Sequence, residues 1–361
     1  AHLSGSGSAR WDGPVPVIRA SLTADELTLD PFLAAGRAGS GGGGGAGSEP
    51  ARDGRRWSSE PLDLGPLRRL DAEIDLAAQA IALGRHRIDA ARLKAAAKDG
   101  ALRIDGLTGR LLGGDLALDA RLAAADPPAA SMRLSVSGAD LRRAPFTAAG
   151  FEVVEGMLDL GLEVATGGRS EREMVAGLGG RASVSVRDGA VQGLDLQAVG
   201  ERLRRIEDLG DILTLVTSAM SGGRTRFSSL DGSFAIAGGV AASKDLRLVA
   251  AAGEGSGTAR IDLPAWRLDI DSEFRLADLR QAPPIGMQVS GPIDHPQRRF
   301  RTERLQAFLL EQGIGGVARG PLKEGAPAIP LPVPGLGQGA PRSLPLRPED
   351  AAKEIFKLFK R

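Results

Sequence analysis

Apolar residues alternate with small or polar residues along most of the chain. The alternation is clearest between residues 180 and 263, where short runs end at Asp-Gly or Gly-Gly pairs and then resume. A period of two places successive side chains on opposite faces of a β-strand, and glycine pairs supply the positive φ angles of tight turns. The pattern predicts a mainly β fold of antiparallel strands joined by short turns.

The strands of this region are predicted to form one antiparallel sheet with a concave apolar face. Residues 181–196 are predicted as two strands that turn at the Asp-Gly pair 188–189, and strands continue through 225–240, 244–252 and 253–263. The residues predicted to line the apolar face are Val184, Val186, Phe234, Ile236, Leu246, Leu248, Ile261 and Leu268.

Three segments carry the spacing of three or four residues that is typical of an amphipathic helix. One lies near 196–220 and is predicted to pack on the sheet, and a shorter one runs from Glu303 to Gln312 after Thr302 as its N-cap. The third, from Pro348 to Lys360, sets apolar residues against basic ones, which suits an anionic membrane surface. Its predicted contacts with a membrane or a partner are Ile355, Phe356, Phe359, Lys353 and Lys357.

A weak repeat and two low-complexity stretches divide the chain. The segments 17–32, 133–146 and 274–283 each contain a strand pattern, then an Asp-Leu or Glu-Leu pair, and then a proline a few residues later. Each would open one unit of several strands, and units with unpaired strand edges are expected to stack into a continuous sheet. In order, the predicted parts are the strand-bearing end of a preceding β-unit (1–36), a disordered glycine-rich insertion (37–56), a β-groove unit (57–146), a C-terminal β-unit with the helix near 196–220 (147–300), a short helix (301–319), a Pro/Gly-rich tether (320–347) and an amphipathic terminal helix (348–361).

The composition argues against several classes of function. Lys and Arg number 46 against 45 Asp and Glu, which removes the electrostatic case for nucleic acid as a partner. The chain has no cysteine, so thiolate zinc sites and cysteine nucleophiles are excluded, and its three histidines lack the spacing of a zinc-binding helix. We therefore predict no catalytic residue, no metal and no cofactor, and we expect that the protein is not an enzyme.

Two motifs have a possible chemical interpretation. The glycine-rich run 253–257 is predicted to be a hairpin or bulge, because a phosphate-binding loop needs a helix after it and here a strand follows. The acidic run 269–273 alternates with apolar residues, and Phe274 stands where a calcium loop needs glycine. We interpret these carboxylates as one solvated face of a strand.

The order of several elements resembles the C-terminal region of the AsmA family. These elements lie at Leu178–Leu196, Thr225–Val240, Asp245–Pro264 and Val289–Pro296, with 57–64 upstream. The resemblance implies a large periplasmic protein of Gram-negative bacteria, tethered to the inner membrane through a segment upstream of this chain. It also implies an extended, twisted antiparallel β-sheet that forms a groove from repeated β-units, with a few short amphipathic helices, as in bridge-like lipid transfer proteins.

On this resemblance we expect a non-catalytic module of the cell envelope whose groove residues are the eight named above. Its expected partners are phospholipid acyl chains and envelope or outer-membrane proteins, with no nucleic acid, and its expected role is to support phospholipid transport between the inner and outer membranes. An alternative is a structural or assembly factor for outer-membrane proteins that acts by β-augmentation. If the apolar face were instead the core of a closed sandwich, it would not be free to bind lipid.

Overall fold

The computed structural model describes residues 2–11, 13, 15–28, 56–83, 86–148, 151–192, 195–198, 223–277 and 281–311. The strands are β1 (Leu3–Arg10), β2 (Val17–Thr28), β3 (Asp71–Leu83), β4 (His86–Lys98), β5 (Ala101–Leu111), β6 (Gly114–Ala123), β7 (Ala129–Asp140), β8 (Phe146–Ala148), β9 (Phe151–Gly167), β10 (Gly179–Gln192), β11 (Arg224–Ala237), β12 (Val240–Ala250), β13 (Gly253–Asp262), β14 (Arg267–Leu276), β15 (Ile285–Pro292) and β16 (Gln297–Arg301). The helices are α1 (Glu171–Ala176) and α2 (Glu303–Glu311), and the 3₁₀ turns are η1 (Gly65–Arg68) and η2 (Leu141–Arg143).

All sixteen strands belong to one open sheet. Fifteen of them follow in the order of the chain from β1 to β16, and β8 pairs with β9 beside this path. β1 and β16 form the two outer edges. The mainly β fold with few short helices is confirmed, and the sheet is continuous across the predicted boundary at 146–147, because β7 pairs with β9.

One pair of neighbouring strands departs from the predicted antiparallel arrangement. β2 and β3 run parallel, and every other pairing described is antiparallel. Parallel neighbours need a crossover connection, because the chain must return to the end of the sheet from which it started. Residues 29–70 make this connection, and Asp71 enters β3 beside the start of β2, where its N–H donates to the Pro16 carbonyl at 3.0 Å.

The predicted hairpin at 188–189 is wrong, because β10 passes through these residues as one strand. Its register against β9 shifts between Arg187 and Ala190, and Asp188 has a φ of 49°. A positive φ serves a bulge as well as a turn. Glycine is needed at 189 because a Cβ there would collide with the ring of Phe227 in β11. The Gly238-Gly239 turn between β11 and β12 is as predicted.

The glycine-rich run 253–257 lies inside β13, and the turn before it occupies residues 251 and 252. The predicted hairpin is present at Gly253, which pairs with Ala250 across this turn, whereas Gly255 and Gly257 lie inside the strand. Gly255 faces Leu248 and Phe274, and a Cβ on it would lie 3.3 Å from Leu248 Cβ and 3.2 Å from Phe274 Cδ2. The glycine lets these two side chains approach each other across the strand.

A segment that is not part of the strands, residues 56–70, runs along one end of the sheet, and we call it the strap. Trp57 Nε1 donates to the carbonyl of Leu263 after β13 at 2.8 Å. Leu62 N–H donates to Arg169 O between β9 and β10 at 2.8 Å, and the guanidinium of Arg68 donates to the carbonyl of Ala124, which follows β6. The strap thus contacts several turns at the same end of the strands and leads directly into β3.

Of the two described helices, one was predicted from the sequence and the other was not. α1 was not predicted, although Ser170 starts an S-x-x-E capping sequence, and its Oγ accepts from Glu173 N–H at 3.2 Å. α2 confirms the predicted helix after Thr302. The helix near 196–220 lies outside the described residues beyond 198, and so do the insertion up to residue 55, the tether and the terminal helix.

Candidate binding surface on one face of the sheet

Aliphatic side chains form a continuous apolar face across the sheet. Residues that stand directly opposite each other on neighbouring strands lie on the same face. The register can therefore be followed from strand to strand until a bulge shifts it, as between Asp231 and Ala235 of β11, where the first two rows below end. One row is Leu118, Leu134, Leu162, Ala182 and Phe234, and another is Val136, Leu160, Val184 and Gly232. A third row, further along the sheet, is Ile236, Ala241, Ile261, Leu268 and Gly291.

The structure places all eight residues predicted for the groove on this apolar face. Val186 stands opposite Leu230, which stands opposite Leu248, so these three form one row. Leu246 stands opposite Gly257 in the same set of rows. The remaining members belong to the rows given above. The prediction that their strands belong to one sheet is confirmed, and their role in binding stays a prediction.

Burial differs along the strands of this face. Val186 is 0% exposed and Leu268 is 7% exposed, whereas the other six predicted residues are partly exposed. All described strands belong to the same sheet, so no second sheet within the described residues packs on this face. Burial also varies in the middle of the strands, where Val136 is 4% exposed and Val289 is 1% exposed, while the row from Leu118 to Phe234 is partly exposed throughout.

One border of the apolar face is closed by the strap. Leu64 packs with Leu122 and Ala124, which lie at the end of β6. Further along, Trp57 packs with Val175 of α1 and with Trp266, which precedes β14. Both tryptophans are buried. Apolar residues of the strap therefore seal the strand ends over a long stretch of the sheet.

A set of polar contacts, which we call the clasp, fixes the start of the strap. The rings of Trp57 and Trp266 meet edge to face with centroids 5.7 Å apart, and the guanidinium of Arg56 lies 4.0 Å above the Trp266 ring. Trp266 Nε1 donates to Asp294 at 2.9 Å, and Asp294 also pairs with Arg56. Every polar group of the clasp thus has a partner, as burial at this position requires.

The opposite border is closed by a smaller cluster. Leu141 of η2 packs with Val153, Val186 and Phe227, and all four side chains are buried. Asp140 caps η2 by accepting from Arg142 N–H at 3.0 Å. The Arg142 side chain holds the pKa of Asp140 below its usual range. Within the described residues, this border is therefore closed by side-chain packing alone, and no segment comparable to the strap runs along it.

The outer face of the same strands carries ion pairs. Glu163 lies between Arg133, at 2.7 Å, and Arg181. Asp159 accepts from Gly138 N–H at 2.8 Å and from Arg187 at 2.8 Å. The hydrogen bond from Gly138 lowers the pKa of Asp159, and the hydrogen bond from Arg133 lowers that of Glu163. These carboxylates are part of a solvated polar face.

The acidic run 269–273 behaves in the same way, as predicted. Asp271 pairs with Arg301 of β16, and Glu273 lies 3.8 Å from Arg304 of α2.

Within the described residues, no group of three or more His, Asp or Glu side chains is arranged to hold a metal ion. In the same part of the chain, no helix is long and apolar enough to cross a membrane. The predicted contacts from Lys353 to Phe359 lie outside the described residues.

The strap is the feature that sequence reasoning missed. Trp57 and its neighbours were noted only as one element of a resemblance. A signal was present, since a tryptophan followed by alternating leucines between a glycine-rich stretch and a strand indicates a segment that packs. Its partners could not be inferred, because they are distant in the chain: Ala124 lies 56 positions from Arg68, and Leu263 lies 206 positions from Trp57.

The fold and this surface define a protein built on a single extended, open β-sheet, with one apolar face bordered by packed strand ends. The profile of the AsmA family matches residues 13–246, which is more than half of the chain. The chain belongs to the AsmA family. The match covers β2 to the middle of β12, and the motifs noted at 245–264 and 289–296 extend beyond it. No curated protein and no solved structure matches the chain.

Proposed function

We propose that the apolar face binds phospholipid acyl chains and that the chain is a non-catalytic module of an envelope protein that supports phospholipid transport. The observation that carries the proposal is the set of aliphatic rows on one face of the sheet, most of whose members are partly exposed. A large apolar surface in contact with water usually marks a binding site. Membership of the AsmA family supports the same conclusion.

The chemistry of the face suits movement of lipid along the sheet. Burial of an acyl chain contributes about 0.8 kcal/mol per CH₂ and has no preferred direction. A lipid can therefore shift from one row to the next without breaking strong directional bonds. The ion pairs of the outer face stay hydrated, so lipid has one face to occupy.

The cellular setting follows from the family resemblance. We place the module in the periplasm, held at the inner membrane through a segment outside this chain. The basic, apolar sequence around Phe356 would provide a second contact, with a membrane surface or an envelope protein. These placements rest on the sequence and the family. The proposal that the apolar face binds acyl chains does not depend on them.

A second candidate is β-augmentation of an outer-membrane protein, and β1 favours it. All eight residues of β1 are exposed, and within the described strands β1 pairs only with β2. A long edge with free backbone groups can accept a strand from a partner. Backbone crosslinks between β1 and an outer-membrane protein, with no lipid on the purified chain, would favour this role.

A displacement experiment tests the lipid-binding proposal. A fluorescent acyl probe is bound to the full chain and displaced with phospholipids that share one headgroup and differ in acyl length. We expect affinity to rise with acyl length, because each added CH₂ contributes the same increment. No displacement at any length, or displacement that ignores length, would contradict the proposal.

A further inference from the structure

The two outer edges of the sheet differ in how they are protected against pairing. β16 has five residues, and three of them are arginines. Short length and charged side chains are means by which an edge strand avoids pairing with another chain. β1 has eight residues, with no proline and no charge before Arg10, and its register against β2 runs without a bulge. Among the described strands, β1 is therefore the edge that can accept a further strand.

One hydrogen bond shows which backbone groups of β1 point to its free edge. The carbonyl of His2 accepts from Asp25 N–H at 3.1 Å, so His2 directs its backbone groups toward β2. Successive residues of an antiparallel strand direct these groups alternately to its two sides. The residues that direct theirs to the free edge are therefore Leu3, Gly5, Gly7 and Ala9.

The side chains of β1 are complementary to themselves about Ser6. When two copies of β1 lie antiparallel with Ser6 opposite Ser6, serine meets serine, and small or apolar residues meet one another. The further pairs in this register are Ser4 with Ser8, Gly5 with Gly7, and Leu3 with Ala9. No charged residue lies between Leu3 and Ala9, and Arg10 comes opposite His2 at the end of the pair. Like charges therefore do not oppose each other along the strand.

The same register also matches the backbone of the two copies. Leu3 comes opposite Ala9, and Gly5 comes opposite Gly7, and all four residues direct their backbone groups to the free edge. Each such residue can exchange N–H···O=C hydrogen bonds with the residue that it faces in the second copy.

Pairing in this register would extend the apolar face. Gly5 lies on that face, because the register joins it to Leu118 of the first row. Between these two residues it passes through one leucine on each strand: Leu22, Leu76, Leu93 and Leu107. A two-fold axis perpendicular to the sheet keeps the apolar faces of both copies on the same side. Two apolar faces would thus become one.

Two exposed apolar side chains lie at the ends of β1. Leu3 is 60% exposed and Trp11, one residue beyond the strand, is 73% exposed. In the register centred on Ser6, Leu3 of the second copy faces Ala9, two positions before Trp11. Diagonal neighbours of this kind are within reach of an aromatic side chain. Pairing would therefore bring Leu3 and Trp11 together and remove both from water.

We propose that β1 is a self-association surface, through which two copies of the chain pair about a two-fold axis at Ser6 and form one continuous sheet. A two-fold interface requires a surface that is complementary to itself, and the pattern about Ser6 meets this requirement. A strand from an unrelated protein would not need such symmetry. The inference goes beyond the proposed function and does not depend on lipid binding.

A disulfide experiment tests the position of the two-fold axis. The chain has no cysteine, so one introduced thiol reports which positions meet. Ser6 would form a pair without backbone hydrogen bonds, in which the Cα atoms lie about 4.5 Å apart, within the range of a disulfide. Ser6→Cys in the full chain should therefore give a covalent dimer under mild oxidation.

Ser8→Cys is the matched control, on the same face of the same strand. Its two copies would be offset by four residues, about 14 Å along the strand, which is too far for a disulfide. Ser8→Cys alone should therefore stay mostly uncrosslinked, and it should crosslink when it is mixed with Ser4→Cys.

Sedimentation equilibrium measures the association without a crosslink. The wild-type full chain should pass from monomer to dimer as its concentration rises. Ser6→Lys places two ammonium groups opposite each other at the axis and should weaken the dimer about fivefold. Ser21→Lys is the control, because it adds the same charge to the same face of β2, opposite Ser6 but one strand away from the edge. It should weaken the dimer clearly less, and circular dichroism should show the same fold in both variants.

Three outcomes would overturn the inference. The first is a chain that stays monomeric at every concentration and gives no Ser6→Cys crosslink. The second is equal crosslinking of Ser6→Cys and Ser8→Cys alone, which would indicate edge pairing without a defined two-fold axis. The third is a monomer whose β1 crosslinks to an outer-membrane protein, which would assign the edge to that partner. Displacement of the acyl probe is measured separately, so the proposed function stands or fails independently of these results.

Discussion

The two faces of the sheet hold the same strands together by different interactions. On the apolar face, neighbouring strands meet through aliphatic rows, and burying one such side chain stabilises the fold by about 1.5–3 kcal/mol. On the outer face, pairs such as Arg187 with Asp159 are exposed, and a pair of this kind contributes about 0–1 kcal/mol. The stability of the sheet therefore resides mainly in the face that is also proposed to bind lipid. A register slip of one residue would move the charged side chains of a strand onto the apolar face, so these charges disfavour such a slip.

The largest effect is expected where the apolar face is sealed. Val186→Asp places a carboxylate among Leu141, Val153 and Phe227, where the side chain is 0% exposed. Burying an unpaired charge in such a cluster should cost about 4 kcal/mol or more. Urea denaturation followed by circular dichroism measures the loss. Ala235→Asp, on the exposed outer face opposite Arg181, is the control and should change stability by less than about 0.5 kcal/mol.

The strap border comes next in size. Trp57→Ala removes the ring that packs on Trp266 and Val175, and large-to-small changes of this kind cost about 3–5 kcal/mol. We expect the midpoint of urea unfolding to fall accordingly. Trp57→Phe keeps an aromatic ring and loses the hydrogen bond to Leu263 with only part of the packing surface, so its cost should be clearly smaller. Equal losses in both variants would show that the packing we describe is not what stabilises this border.

Between the borders, a charge should affect binding more than folding. Leu248 is partly exposed, so Leu248→Asp can hydrate its carboxylate and the chain should keep its sheet. Bound acyl chains would lose contact with it, and probe displacement should show at least about tenfold weaker lipid affinity. Ala242→Asp is the control on the outer face of the same strand, opposite Arg260. A folded Leu248→Asp protein with wild-type affinity would place the lipid elsewhere.

The smallest effect belongs to the outer face and depends on pH. Folding lowers the pKa of Glu163, chiefly through Arg133, and that of Asp159, chiefly through Gly138. Their stabilisation is complete above the ordinary carboxyl pKa, near 4, and is lost as the pH falls through the lower values of the folded state. The melting temperature should therefore change little from pH 7 to about 5 and fall below that. Glu163→Gln should make this acid dependence slightly shallower, and a steeper dependence in the variant would contradict the assignment.

The apolar face could be predicted from the sequence because its signal is local. Val184 and Phe234 lie on it for the same reason, that every second residue of a strand faces the same way. The failures are of two kinds. At Asp188 the local signal was ambiguous, since a positive φ fits a bulge and a hairpin alike. At the clasp no local signal could name the partners, because Arg56 and Asp294 are 238 positions apart in the chain. The parallel pairing of β2 with β3 was missed for this second reason.

The strap has a further consequence for how the sheet folds and melts. When each strand contacts only its two neighbours, stability is a sum of nearest-neighbour terms, and either end can fray while the rest stays folded. Trp57 and Leu263 are separated by 206 positions in the chain, and their hydrogen bond ties a segment continuous with β3 to the turn after β13. Detachment of the late strands would therefore also break the contacts of Trp57 and free the start of the strap. We expect the whole sheet to melt in one cooperative transition, and to fold slowly, because so long a loop must close before the strap can dock.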